Sequence, residues 1–395
     1  MDKRLIWLAV GSFAMSTVGF VFSSLLPAIA ADANVSVPFA GYLIMAFSLA
    51  YAIGAPVLSA LAGEIDRRLV LAATMLVFVA GNLIAATSGS FFGLLVAQIV
   101  MGMSAGLYAA TAQATAVSLA GTEHRARAIA VVVGGTTFAV ALGAPLGSLI
   151  ATMWGWRGTF ASIAFLGISC AAILWMRLPR GSRGIKLTLA ERFSAVTRPG
   201  ILPSLLVTLL YLAGGFTVIS YIAPLALEGA ALPAIALPGM LLAFGAGAVI
   251  GNLSSGYLAD KIGATRMVVI SLLMSSGFCI AIALTLKLLP QPVAGPVLIG
   301  LMVPWGIIGW AFPPAQASRI VGFAPEVAHL TLSLNASALY FGIALGTVIG
   351  GRVLEFATPS DLGLVASAFP LAALAVLAAS GSLVRLAPSS KAGGH

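Results

Sequence analysis

Twelve apolar runs set the terms for this chain. They fall at about 5–30, 38–63, 69–88, 91–120, 127–152, 158–178, 201–226, 237–259, 267–288, 295–317, 329–353 and 362–384. Each is long enough to cross the roughly 30 Å hydrocarbon layer of a bilayer as a helix. In lipid every backbone amide needs an internal partner, so such runs must be helical from end to end. With 60% hydrophobic and only 8% charged residues, a chain of 395 residues has too little polar surface for a soluble fold. The expected fold class is all-α and integral to the membrane, with twelve transmembrane helices.

Charge sets the orientation. If both termini lie inside, the inside segments carry Lys3, Arg4, Arg67, Arg68, Arg125, Arg127, Arg177, Arg180, Arg183, Lys186, Arg192, Arg198, Lys261, Arg266, Arg319, Arg385 and Lys391, seventeen of the twenty Lys and Arg. Only Arg157, Lys287 and Arg352 fall on the other side. An odd number of spans would destroy this positive-inside bias. The net charge of +9 then reflects topology and anionic lipid, and no basic run is interleaved with aromatics as a nucleic-acid partner would require. Asp2-Lys3-Arg4, an apolar run and Ala28-Ile29-Ala30 imitate a secretory signal. The run is about 25 residues against the 7–15 of a signal core, so a retained first helix is expected. Cys170 and Cys279 lie inside apolar runs and read as small buried hydrophobes rather than a disulfide or a metal site.

Residues 106–148 and 309–351 are two readings of one pattern, 203 positions apart with no gap. Gly106 repeats as Gly309, Gln113 as Gln316, Glu123 as Glu326 and Phe138 as Phe341. Ala141-Leu142-Gly143 repeats as Ala344-Leu345-Gly346, and Gly147 as Gly350. The longest charged interval, 177–200, separates six spans from six. An even number per half gives both halves the same orientation, related by an axis along the membrane normal. The expected units are an N-terminal six-helix bundle at 1–178, a cytoplasmic linker at 179–200 with a short surface helix from Leu187 to Val196, a C-terminal six-helix bundle at 201–384, and a disordered cytoplasmic tail at 385–395. Two equivalent halves around a central path are the build of a transporter.

Gly256-Tyr257-Leu258-Ala259-Asp260-Lys261-Ile262-Gly263-Ala264-Thr265-Arg266 lies between spans 8 and 9. It resembles the G-x-L-A-D-[RK]-x-G-x-x-[RK] signature of the major facilitator superfamily. Gly256 and Gly263 suit a tight reversal, Asp260 is placed to accept from a helix N-terminus, and Lys261 and Arg266 suit a cytoplasmic loop. In the matching loop, Ser59 to Arg68, Ser59 and Gly63 replace the first glycine and the aspartate. Glu64 or Asp66 stands in for the acid there, beside Arg67 and Arg68. Both loops are expected to act as gates.

Gly143-Ala144-Pro145-Leu146-Gly147 resembles the helix 5 signature of the superfamily's antiporters. Gly143 and Gly147 share a helix face, and Pro145 weakens a local backbone bond, which makes the segment a candidate hinge or a plain packing seam. Gly155-Trp156-Arg157, Tyr221-Ile222-Ala223-Pro224, Trp305-Gly306 and Ser333-Leu334-Asn335 extend the likeness to the drug:proton antiporter-1 branch, in particular its bacterial sugar, nucleoside and chloramphenicol efflux group. The resemblance implies two pseudo-symmetric six-helix bundles, alternating access, efflux across a bacterial cytoplasmic membrane, and a cavity lined by spans 1, 4, 7 and 10.

Two departures from that family matter. Many relatives carry an embedded acid in span 1 and an arginine in span 4, where this chain has Gly19 and Gln98. No Asp, Glu, Lys, Arg or His lies near the middle of any span, so the usual proton carrier is not visible. Beside coupled efflux, a uniporter or an exchanger independent of protons is therefore an alternative. The candidate cavity residues are Ser16 and Gly19 in the stripe Ser12, Ser16, Gly19 and Ser23; Gln98 and Gln113; Tyr211 and Tyr221; Trp305, Phe312 and Gln316; and Asn335. Gln98 and Gln113 stand roughly 22 Å apart along one helix, and Gln98 is favoured for the midplane. Each has a plainer reading, since small stripes are often seams and a glutamine often bridges helices. Trp154 and Trp156 read as interface anchors.

As a set the candidates describe a neutral cavity of rings and amides, suited to an uncharged or amphipathic ligand and not to a dianion. An integral membrane enzyme would need clustered His, Asp or Glu, and His124, His329 and His395 form no cluster. A channel would need equivalent groups from both halves, where Gly102 and Ala109 face Trp305 and Phe312 in the repeat. No cofactor and no metal are expected, and the chain reads as a monomer whose partners are a small-molecule substrate and lipid.

Overall fold

The computed structural model describes residues 2–120, 125–181 and 195–386. Helices form along the apolar runs, and no strand occurs among the described residues. They are α1 (Arg4–Asp32), α2 (Val37–Leu61), α3 (Arg67–Thr87), α4 (Phe91–Ala120), α5 (Arg125–Phe138), α6 (Ala144–Arg177), α7 (Ile201–Ile219), α8 (Leu237–Ile262), α9 (Ala264–Leu288), α10 (Gln291–Phe323), α11 (Ala328–Phe356) and α12 (Asp361–Leu386). Eleven stretches are long and apolar enough to cross a membrane. One of them, Arg127–Arg177, holds two spans and makes twelve. In it α5 passes through a π turn, Ala139–Gly143, and runs on into α6 as far as Gly155. There a φ of +74°, which glycine adopts without strain, breaks the helix. The π turn sits just ahead of Pro145, which has no N–H to offer the preceding turn.

The loops follow from local chemistry. The Ser36 hydroxyl accepts from the Phe39 amide to start α2, and the Asp66 carboxylate accepts from the Arg68 amide at 2.9 Å to start α3. The other oxygen of Asp66 accepts from the Gly181 amide at 2.7 Å, which ties the chain leaving α6 to its own half. Between α8 and α9 the whole connection is Gly263, with φ +92°. Of the two glycines expected to permit this reversal, only Gly263 does so. Gly256 lies inside α8, and a side chain there would meet open space. The Asp260 side chain lies outside the described residues, as do Glu123, His124, most of the expected surface helix at Leu187 to Val196, and nearly all of the tail.

The helices pack as two sets. In the first, α1 lies against α5 and α6, α2 against α4, and α3 against α4 and α6. In the second, α7 lies against α11 and α12, α8 against α10, and α9 against α10 and α12. Glycines let the helices of each set approach closely. Gly135, Gly143 and Gly147 meet Ala9, Thr17 and Val21 of α1 in one register, and Gly342, Gly346 and Gly350 meet Leu209, Ala213 and Thr217 of α7. The sets touch along two lines. Gly245 of α8 lies on Val140 and Ala141 of the π turn, near a bond from the Asn252 amide to Thr137. On the other line Tyr51 of α2 stacks on Tyr340 of α11 at 3.5 Å, and Ser337 donates to the Ala52 carbonyl at 2.9 Å.

The two ends differ in charge. Arg67, Arg68, Lys261 and Arg266 lie at one, called here the basic end. At the other, Arg157, Lys287 and Arg352 each pair with a carboxylate: Asp32, Asp361 and Glu355. Trp156 is no interface anchor: it is buried and donates to Asp32 at 2.8 Å, while Trp154 is exposed. Arg157 also donates to the Ser88 carbonyl at 3.1 Å, so the Asp32–Arg157 pair ties the ends of α1 and α3 to the break in α6.

Candidate transport pathway

Four spaces are stacked between the two sets of helices, and they narrow from the basic end to the other. A vestibule of about 1780 Å³ comes first, with Ser59, Gly63, Arg67 and Ser333 on its walls. A central cavity of about 1260 Å³ follows, then a recess of about 400 Å³ and a crevice of about 200 Å³. The order is written along α2, whose lining residues run from Ser59 through Tyr51 to Ser48 and Ile44, and then to Gly41 and Pro38.

The central cavity is walled by rings. Phe20, Tyr51, Tyr211, Phe216, Phe244, Trp305, Trp310 and Tyr340 all line it, with Gln113, Ser12, Thr136 and Ser275 as polar groups. None of its lining residues is charged. Besides α1, α4, α7 and α10, it draws walls from α2, α5, α8, α9 and α11. Gln113 also borders the vestibule, and its amide makes no hydrogen bond with a described residue. The recess beyond is lined by Ser16, Gly19, Ser48 and Gln98 among the rings of Phe20, Phe22, Phe47, Phe216 and Tyr340.

The far end is shut by Tyr221. Its ring is 1% exposed, and its hydroxyl donates to the Thr347 carbonyl at 3.0 Å. A Cβ at Gly41 of α2 would lie 2.0 Å from that hydroxyl, and one at Gly351 of α11 2.7 Å. Tyr221 is thus a knob in a socket made by both sets of helices. The glycines at 41 and 351 are what let it seat.

The sequence-derived residues therefore separate into groups. Gln113, Tyr211 and Trp305 line the central cavity; Ser16, Gly19 and Gln98 line the recess; Tyr221 lines the crevice. Phe312 stacks on Tyr211 at 3.8 Å and lines none of the four spaces. Gln316 is fully buried and donates to the Ser204 carbonyl at 2.8 Å and to the Thr208 hydroxyl at 3.2 Å. Thr208 in turn donates to Asn335 at 2.7 Å. Gln316 and Asn335 thus belong to a polar knot joining α7, α10 and α11 outside the four spaces. Arg319, grouped above with the loop cations, lies inside α10, is 9% exposed, and reaches Gln316 at 3.4 Å. Sequence reasoning missed Phe20, Phe216, Trp310, Tyr51 and Tyr340. Their signal was aromatic bulk inside apolar runs, which most core residues share.

Twelve spans in two like sets, enclosing a path wide at one end and shut at the other, are the build of a membrane transporter. The sequence model of the Major Facilitator Superfamily matches residues 8–347. An uncharacterized MFS-type transporter, YbcL of Bacillus subtilis, is 31% identical over 348 residues, 88% of each chain. The inner membrane transport protein YdhP of Escherichia coli is 31% identical over 356 residues, 90% of each. A chloramphenicol resistance protein of Streptomyces lividans is 31% identical over 383 residues, 96% of each. In fold the chain matches the human organic anion transporter MFSD10 with a TM-score of 0.73 at 18% identity, covering 95% of this chain and 100% of that one. It matches a bacterial homolog of the human lysosomal transporter Spinster, inward-facing and occupied, with a TM-score of 0.69 at 16% identity, over 97% and 94%. The chain belongs to the Major Facilitator Superfamily.

Proposed function

We propose that this protein exports small uncharged or amphipathic solutes by alternating access, and that the form described here is open to the cytoplasm. The tapering stack of spaces, walled by rings and neutral polar groups, carries the reading. The seventeen Lys and Arg assigned inside support an orientation with the wide vestibule and both termini on the cytoplasmic side of a bacterial inner membrane. The likeness to a chloramphenicol resistance protein supports efflux. The loops at Ser59–Arg68 and Gly256–Arg266 then flank the open mouth as gates, and the chain works as a monomer of two six-helix units. A thermal-shift screen of the purified protein against sugars, nucleosides and phenicols tests the reading. Uncharged ligands bearing a ring and hydroxyls should raise the melting temperature. Stabilisation by dicarboxylates alone would overturn it.

Coupling is read as weak. No carboxylate or histidine lines the cavity or the recess, and Gly19 and Gln98 occupy the positions of the acid and arginine seen in relatives. A carrier couples to protons only when ligand affinity differs between protonation states. Flux into proteoliposomes should change little when a pH gradient is imposed. Uphill accumulation driven by that gradient would sink the uncoupled reading.

A further inference from the structure

The transport reading above leaves Gln98 unexplained. It is 2% exposed, lies on the wall of the recess, and makes no hydrogen bond with a described residue. A buried amide of that kind needs a partner. Gln113 stands fifteen positions along the same helix, on the central cavity. Between the two spaces lies a septum of shared lining residues, Phe20, Phe216, Tyr340 and Ile343. The Phe20 ring is 6.3 Å from Phe216 and 5.9 Å from Trp310, and the septum is edged by a 3.0 Å bond between the hydroxyls of Ser16 and Thr136.

We propose that the recess is a second station on the pathway. Gln113 meets the solute on the open side, and Gln98 receives its uncharged hydrogen-bonding end, a hydroxyl, amide or carbonyl, once it passes the Phe20–Phe216 septum. The chemistry is set by the walls. An amide both donates and accepts, so it suits a neutral polar group. Phe22 and Phe47 flank it, and no cation lines the recess to hold an anion. The recess is far smaller than the cavity, with free room for little more than a water, so it takes only one small polar end of a ligand and only as the Phe20 and Phe216 rings move apart. Gly19 keeps it open. A Cβ there would come to 3.5 Å from the Phe47 ring, an ordinary contact that fits but takes up the space.

The test needs no knowledge of the natural ligand. In full-length protein lacking Cys170 and Cys279, Ser48→Cys places a thiol on the recess wall. Iodoacetamide, a neutral amide, and iodoacetate, an anion of nearly the same size, are the probes, each rate taken relative to glutathione. Iodoacetamide should react about tenfold faster than iodoacetate, since a carboxylate is costly to bring into an apolar recess. Gln98→Leu should cut the iodoacetamide rate about threefold by removing its partner. Phe20→Ala, or Phe216→Ala if the first does not fold, should speed both reagents by opening the septum. Equal rates for the two probes, or no effect of Gln98→Leu, overturn the station. So does a thiol that stays unreactive even without the septum. Loss of transport in the flux assay alongside normal alkylation would instead fault the transport reading and leave the recess intact.

Discussion

In the N-terminal half Gln113 faces the central cavity and bonds to no described residue, whereas its repeat partner Gln316 is fully buried and tied to Ser204 and Thr208. The neighbouring positions diverge likewise. Gly102 packs on the Phe47 carbonyl, while its counterpart Trp305 lines the cavity; Ala109 lines the cavity, while Phe312 stacks on Tyr211. The seams do not diverge in this way. Gly143 and Gly346, and Gly147 and Gly350, hold the same helix pairs together in both halves. A duplicated architecture thus keeps these close helix approaches at glycines, against side chains in the first half and backbone in the second, and differs where side chains line the cavity. One half supplies a free amide and the other supplies rings.

The largest expected effect lies in the seams. A Cβ at Gly346 would stand 2.2 Å from the Ala213 backbone carbonyl, which cannot move aside. Gly346→Ala should cost about 1–3 kcal/mol by overpacking, read as a lower melting temperature in detergent. At Gly143 the obstacle is the Thr17 side chain, whose hydroxyl must leave its 2.7 Å bond to the Phe13 carbonyl while its Cβ and Cγ2, at 3.1 Å, shift by a few tenths of an ångström. Gly143→Ala should therefore be milder, at about 1 kcal/mol for one lost hydrogen bond. Equal melting temperatures for the two variants would mean that the seams are not distinguished by what they pack against.

The glutamines come next. Gln316→Leu should destabilise by about 1–2 kcal/mol, the loss of amide contacts between membrane helices. Gln113→Leu should leave melting unchanged and lower the transport rate per folded molecule. If the two exchange roles, with Gln316→Leu changing selectivity at normal stability, the contrast between the halves fails. The last contrast is between the loops. Gly263 combines a φ of +92° with a ψ of 139°, a conformation nearly confined to glycine, so Gly263→Ala should cost about 1–3 kcal/mol. Gly63 has no positive φ, and Gly63→Ala should stay within about 0.5 kcal/mol.

Spans and seam glycines were legible in the sequence because they rest on spacing within a helix, to which lipid leaves no alternative, and the repeat because its 203-position offset carries no gap. The fates of the two glutamines were not. Gln113 and Gln316 look alike in the chain, and what separates them is Ser204 and Thr208, over 100 positions from Gln316 and on another helix. Tyr51 and Tyr340 meet across the two halves, and Asp32 reaches Arg157 from 125 positions away. Such partners are set by tertiary packing. The path is also lined along its length by α2 and α11, whose apolar runs carry no mark that sets them apart from spans 1, 4, 7 and 10.

The π turn at Ala139–Gly143 has no counterpart in α11, which is ordinary helix over the matching residues 342–346. A π turn stores one residue, roughly 1.5 Å of helix length, that an α turn would have spread along the axis. It lies where Val140 and Ala141 bear on Gly245 of the other half. The two lines of contact between the halves are therefore built differently. The one through α2 and α11 carries the Tyr51–Tyr340 stack and the Ser337 bond between ordinary helices. The one through α5 and α8 carries the Asn252–Thr137 bond beside a turn that holds a spare residue, and in the alternating-access reading proposed above that residue is slack the helix can yield without leaving a backbone bond open in lipid.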